Sequence, residues 1–271
     1  MRVAIAQIDS VLGDIAANLE QAGAAVAAAS AAGADLVVFP ELALSGYAVG
    51  RSERDATATV GDLLPLAEAA GETAVLVGFH ERAGARTYNA AVYFEHGSAV
   101  AVHRKLYLVD YPPFEEATTF SAGEQLEAFD TALGRQAVLI CNDAWQPALP
   151  FLAVADGAQI LLMPSNSSTA VEDAEQYWRE LTRFYARMLQ CYVVFANRVG
   201  EEAGFTYWGG SHVVDPRGEI VAEAPRLEQA FLLAELDLGL VASRRAELPL
   251  VGDPRLDLLR AQLERLARDR G

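Results

Sequence analysis

Two cysteines in a chain of 271 residues are too few for a disulfide framework, and the sparse usage points to a reducing compartment. Basic residues are scarce too: 21 Lys and Arg stand against 37 Asp and Glu, a formal charge of −16. Such a balance repels phosphate backbones and anionic headgroups, so neither nucleic acid nor a membrane surface is an expected partner. No window offers about 18 strongly apolar residues in a row, the length a spanning helix needs. The Ala-rich tract around residues 22–34 is small-residued and flanked by Glu20 and Asp35. The opening MRVAIAQIDSVLGDI lacks the charged start, long apolar core and cleavage site of a signal peptide, so a cytoplasmic location is expected. The four histidines, His80, His96, His103 and His212, have no metal-ligand spacing with the cysteines, and neither a metal nor an organic cofactor is expected.

What is present is apolar sequence. At 52% hydrophobic and 21% charged, the composition is that of a folding chain, not a disordered one. The length suits one α/β domain over 1–271, with no Gly/Ser/Pro-rich linker or fixed-period repeat to divide it. Strand-like runs begin at Val3, Leu36, Ala74, residue 89 and Ser98, the last two joined by a turn at His96-Gly97. Helices are expected from Asp14 to Gly33 and over 54–70. In the second half, strands at 137–140, 160–163 and 192–196 alternate with helices at 146–156 and 171–190. Paired strands at 211–215, 219–223 and 230–236 and a helix near 255–270 close the chain. Strands with continuous apolar runs are buried on both faces, so helices should cover the sheets.

Four segments place polar residues where buried strands end: Phe39-Pro40-Glu41, His103-Arg104-Lys105, Ile140-Cys141-Asn142-Asp143 and Met163-Pro164-Ser165-Asn166. Ligands bind beyond the carboxyl ends of strands in such sheets, where distant residues meet. A cysteine ending a strand and leading into a helix lies near N-terminal amides whose positive potential favours a thiolate, which makes Cys141 a candidate nucleophile. A free thiol, with a pKa near about 8.5, needs a base or a cation to react at neutral pH. Glu41 could serve as the base and Lys105 as the cation, with the ammonium also stabilising the oxyanion of an attacked carbonyl. Singly, a strand cysteine is more often a small buried hydrophobe, and a lone Glu or Lys is usually solvated. Cys191, which opens a strand and has no matching motif, reads as core.

Together the segments say more. FPELALSGY, HRKLYLVDYPPFEE and ICNDAWQP, in that order and roughly 35 to 65 residues apart, resemble the carbon–nitrogen hydrolases of the nitrilase superfamily. The flanks agree, from MRVAIAQIDSVLGDIAANL through YNAAVYFEHGSAVAVHRK and ANRVG to WGGSHVVDPRGEIVAEAP. The resemblance implies a four-layer α-β-β-α sandwich and assembly into homodimers or larger oligomers. It places a Glu-Lys-Cys triad on Glu41 (general base), Lys105 (oxyanion stabiliser) and Cys141 (nucleophile), with the Asn142 N–H completing the oxyanion hole. A second glutamate of many members maps to Glu116 rather than Glu115 by the spacing to Phe120 and Gly123, with a role in positioning the substrate amide and Lys105. Tyr47 and Tyr111 at the presumed mouth, and Ser165, Asn166 and Ser167 after the next strand, are candidate substrate contacts.

The residues after the cysteine separate the family's reactions. Nitrilases carry Trp directly after the nucleophile, where this chain has Asn142, and lipoprotein acyl transfer needs spanning helices. An amidase acting on a small linear amide remains. The segment CNDAWQP looks most like the glutaminase domains of NAD synthetases, but no Ser-Gly-Gly-x-Asp-Ser phosphate loop follows, and Asn142 stands where an acid commonly sits. A glutaminase-type ammonia donor and an N-carbamoyl amino acid hydrolase stay as alternatives; a non-catalytic binding module is disfavoured because all three triad positions are filled.

Overall fold

The computed structural model describes residues 1–52, 55–252 and 254–270. The first half builds β1 (Arg2–Gln7), α1 (Ile15–Ala31), β2 (Leu36–Val38), α2 (Leu64–Ala70), β3 (Ala74–Ala83), β4 (Arg86–Glu95) and β5 (Ser98–Arg104). The second half begins with β6 (Phe129–Thr131), β7 (Gly134–Val138), α3 (Ala148–Ala155), β8 (Ile160–Ser165), α4 (Ala174–Leu189) and β9 (Tyr192–Asn197). A separate hairpin of β10 (Val199–Glu202) and β11 (Phe205–Trp208) follows, then β12 (His212–Val214), β13 (Ile220–Glu223), β14 (Ala230–Glu235), α5 (Leu238–Glu247) and α6 (Leu256–Arg270). One six-stranded sheet runs β14-β1-β2-β3-β4-β5 and the other β13-β12-β9-β8-β7-β6. Each has a parallel centre, β1-β2-β3 and β7-β8-β9, with antiparallel flanks.

Alternation along the strands explains the layering, since successive side chains point to opposite faces. Val3, Ile5, Leu36, Val38, Leu76 and Tyr93 of the first sheet pack against Val138, Ile160, Leu162, Val194 and Val213 of the second. The intervening residues Ala4, Val37, Val75 and Val92 turn outward under α1 and α2. Ala137, Leu161, Val193 and Phe195 do the same under α3 and α4, where Trp178 and Tyr185 meet them. The result is the four-layer α-β-β-α sandwich. Asp14 caps α1 by accepting from the Ala17 N–H at 3.1 Å. The β4–β5 turn uses positive φ at His96 (49°) and Gly97 (73°), the geometry two-residue hairpins favour.

The expected helix over 54–70 is shorter. Residue 54 lies outside the described residues, Ala58 instead bridges Glu81, and a reciprocal cap between Thr59 and Asp62 starts a 3₁₀ turn at Val60 that runs into α2. Cys141 is not part of a strand: β7 ends at Val138, and Cys141–Asp143 is a separate 3₁₀ turn. Cys191 sits just before β9. The sequence reading passed over β6, the β10–β11 hairpin and α5. Among the described residues no helix is long and apolar enough to cross a membrane.

Candidate active site

Glu41 follows β2, Lys105 follows β5, Cys141 follows β7 and Asn166 follows β8. These strand ends lie together at the seam between the sheets. Lys105 and Glu41, 0% and 1% exposed, are the buried centre. Lys105 Nζ donates to Glu41 Oε1 at 2.8 Å and to Glu116 Oε1 at 2.7 Å. Asn89, in mid-β4, donates through Nδ2 to Glu41 Oε1 at 2.7 Å. Glu116 is held at its other oxygen by the Val109 N–H at 2.9 Å, and the Tyr47 hydroxyl donates to its Oε1 at 2.7 Å. Gly78 lies directly beneath: a Cβ there would come within 2.5 Å of the Leu42 nitrogen and 2.6 Å of the Pro40 carbonyl, so only glycine lets the Glu41 loop settle on β3.

Cys141 is half-buried and adopts φ 45°, a left-handed conformation uncommon for a side chain-bearing residue. Asp143 clamps that turn. Its Oδ1 accepts from the Leu106 and Tyr107 N–H groups, both at 2.9 Å, and its Oδ2 accepts from the Ile140 N–H at 3.1 Å and contacts His103 Nε2 at 3.0 Å. One carboxylate thus ties the cysteine turn to the chain around Lys105.

The electrostatics follow from two carboxylates sharing one ammonium. Burial works against the charge on Lys105, but Glu116 and Glu41 outweigh it and hold its pKa well above the ordinary value. Burial raises the Glu41 carboxyl, with Lys105 opposing and Glu116 adding to the rise. Burial also pushes the Cys141 thiol up, Glu41 adds to this, and Lys105 and the Asn166 N–H only partly offset it. The expected thiolate is therefore corrected to a neutral thiol. No long helix begins at Cys141, since α3 starts at Ala148, and an anionic sulfur would be a third negative charge beside one cation. Cys191 is likewise neutral, its thiol pushed up to about 12 by burial.

Asn166 belongs to the cluster, with its N–H on Glu41 Oε2 at 2.8 Å and its Nδ2 on the Glu41 carbonyl at 2.8 Å. Tyr47 reaches it only through Glu116. Tyr111 is 50% exposed at the rim, its ring edge-on to Phe114 at 5.8 Å. The Asn142 side chain donates through Nδ2 to the Tyr107 carbonyl, a bond that does not involve the backbone N–H expected at the oxyanion, and the Ser167 hydroxyl accepts from Trp208 Nε1 at 3.1 Å. Ser165 is fully buried, its hydroxyl turned to the Met163 carbonyl. Phe114 stacks on Phe205 at 5.5 Å, with Tyr47 edge-on to both, walling a small cavity of about 80 Å³ beside Glu116. A groove of about 820 Å³ follows α4 and includes none of Glu41, Lys105 or Cys141 in its lining. Asp143 was legible only as part of the strand-end segment Ile140-Cys141-Asn142-Asp143, with no role attached, and Asn89 and Glu202 were given none; Asn89 did leave a signal, as an amide inside the apolar run YNAAVYF.

A sheet pair of this topology with an acid, a lysine and a cysteine at its seam defines a hydrolase class. The chain belongs to the carbon–nitrogen hydrolase family, whose model matches residues 2–246, and it is an enzyme of the amidase type. It is 34% identical to a chloroplastic omega-amidase of Arabidopsis thaliana over 92% of this chain and 71% of that protein. It is 29% identical to the N-carbamoylputrescine amidase of the same plant, over 92% of this chain and 91% of the other. The glutamine-dependent NAD(+) synthetase of Thermotoga maritima matches at 30% over 88% of this chain, which spans only 42% of that protein. Among solved structures, a carbon–nitrogen hydrolase from Helicobacter pylori superposes with a TM-score of 0.85 at 27% identity, covering 97% of this chain and 98% of the other.

Proposed function

We infer that the protein hydrolyses a small linear amide through a thioester on Cys141. The observation that carries this reading is the buried Lys105 ammonium held between Glu41 and Glu116 at 2.8 and 2.7 Å, beside a neutral cysteine. The Cys141 sulfur attacks the amide carbonyl carbon while its proton passes to the Glu41 carboxylate. Lys105 and the Asn142 N–H stabilise the resulting oxyanion beside the buried Glu41, where fixed charges act more strongly than in water. The C–N bond breaks as Glu41 returns the proton to the departing nitrogen, releasing ammonia or an amine. Water then gives a proton to Glu41, attacks the thioester, and the acid leaves as the thiol is restored. Keeping the thiol neutral until attack avoids a resting pair of buried like charges.

The omega-amidase likeness makes ω-amides the first substrate class, with N-carbamoyl amines second. Asn142 in place of an acid weakens recognition of an α-ammonium group, which sets free glutamine and an ammonia-donor role behind these. Exposed Tyr177, Phe184 and Met188 on α4 and Leu256, Leu259 and Leu263 on α6 support assembly into homodimers or larger oligomers. Ammonia release across ω-amides, N-carbamoyl amines, glutamine, short aliphatic amides and a nitrile tests the reading. Release from ω-amides above all others is expected, and release from the nitrile alone would overturn it.

A further inference from the structure

The triad is braced by a pair of charges on the hairpin that belongs to neither sheet. Arg198 and Glu202, 1% and 7% exposed, flank and end β10. Arg198 Nη1 donates to Glu202 Oε2 at 2.7 Å, while Nη2 donates to Asp9 Oδ1 at 3.0 Å and to the Ser10 carbonyl at 2.7 Å. The other Glu202 oxygen, Oε1, accepts from the Tyr47 N–H at 2.8 Å and the Ala48 N–H at 2.7 Å. The loop is drawn in as far as a glycine allows: Gly46 has φ 79°, and a Cβ there would lie 2.5 Å from Glu202 Oε2 and 2.9 Å from Leu12 Cα. From that anchored backbone the Tyr47 hydroxyl reaches Glu116 Oε1, the oxygen that also binds Lys105 Nζ. A buried ion pair gives weak net stability, because desolvation offsets its attraction, so stability alone is a poor account of this arrangement.

We propose that Glu202, fixed by Arg198, is a positioning residue for amide hydrolysis. It sets the Tyr47 backbone and, through the Tyr47 hydroxyl, the placement of Glu116 and the Lys105 ammonium. It touches neither substrate nor sulfur, and the assignment rests on the proposed roles of Lys105, Glu116 and Cys141. Displacement of a reacting group by about 1 Å can cost roughly a hundredfold in rate.

The test is a double-variant cycle on the full chain, assayed on the best ω-amide. Glu202→Ala should lower kcat about tenfold to a hundredfold with KM changed less than about threefold. Tyr47→Phe should lower kcat in the same sense, and the double variant should lose no more than the worse single one, because both act through one hydroxyl. Glu202→Gln keeps an acceptor for the two N–H groups but turns its NH2 toward Arg198 Nη1, so it should recover only part of kcat and still exceed Glu202→Ala. A second readout needs no turnover: the pH midpoint of Cys141 alkylation by iodoacetamide in a Cys191→Ser background. Losing the Tyr47 donor leaves the Glu116 charge less neutralised beside the sulfur, so Glu202→Ala and Tyr47→Phe should both move that midpoint to higher pH. If Glu202→Ala does not fold, Glu202→Asp, which keeps the charge but shortens its reach, replaces it. A lowered melting temperature with kcat and midpoint unchanged would overturn the proposal, as would fully additive losses. A wild-type protein that released no ammonia from any amide would instead sink the hydrolytic reading, and the alkylation midpoint would still decide on Glu202.

Discussion

Asn166 grips Glu41 at both ends, its N–H on Oε2 and its side-chain amide on the Glu41 carbonyl, each at 2.8 Å. The opposite oxygen, Oε1, already accepts from Lys105 and Asn89. A carboxylate has about four acceptor positions, so the open one is on Oε2. The same Asn166 N–H also acts on the Cys141 sulfur, which ties base and nucleophile to one donor.

Cys141→Ala should therefore leave no acyl-enzyme and no more than a trace of turnover, while its melting temperature stays close to wild type because a half-buried sulfur is lost. Intact-mass measurement after rapid quench reads both species. Appreciable hydrolysis by the alanine variant would exclude Cys141 as the nucleophile.

Replacing the cation has a different signature. Lys105→Gln keeps the thiol but removes the oxyanion partner, a loss expected at about 10²–10³ in kcat or more. It also leaves Glu41 and Glu116 buried without a counter-charge, and stability should fall by roughly 3–5 kcal/mol, the usual result of unpairing a buried ion. Denaturant unfolding alongside single-turnover kinetics separates the two effects.

Acid should switch the reaction off early. Glu41 works as its carboxylate, and burial raises its pKa above the ordinary range. Activity is full above the folded-state pKa and falls as pH drops through it, so the acid limb of kcat/KM should lie above the about 4.3 of a free glutamate. Glu116→Gln removes a charge that raises Glu41 and should move the limb to lower pH. A wild-type limb at or below the free value would contradict the base assignment.

Stability should carry an acid limb of its own. His212, 0% exposed between Thr182 and the Gly210 carbonyl, has its pKa lowered to about 4 by burial. An unfolded histidine protonates near about 6.5, so between these values only the unfolded chain takes up the proton. The contribution is whole above that upper pH and is lost as pH falls toward 4, a change of up to about 3 kcal/mol. His80, lowered to about 4, acts in the same direction. Melting temperature should drop across this window, and His212→Gln, though less stable at neutral pH, should give a flatter profile.

Glu41, Lys105 and Cys141 were legible in the sequence because each stands just past a strand-forming run and the three segments together carry one family's pattern. The state of the sulfur was not. Its φ of 45° lies in a turn clamped by Asp143, and its thiol is pushed up first by burial and then by Glu41, tertiary facts that no local spacing encodes. The side-chain bonds of Ser167 to Trp208 and of Asn142 to the Tyr107 carbonyl were equally illegible, since their partners lie 41 and 35 residues away. Glu202 was silent for the same reason: it lies in a short polar hairpin whose partner, the Tyr47 backbone, is 155 residues away.

The seam location has a bearing on how the chain acquires activity. Glu41 meets Lys105 across 64 residues at the ends of first-sheet strands, but Asn166, 125 residues from Glu41, and Cys141 come from the second sheet, so neither sheet alone can bring the charges to the sulfur. Contacts of such long sequence separation pay their loop-closure entropy late in folding. During refolding, helical signal and tryptophan burial should return before any catalysis does, and enzyme assays would time the moment when the two halves of the sandwich close on each other.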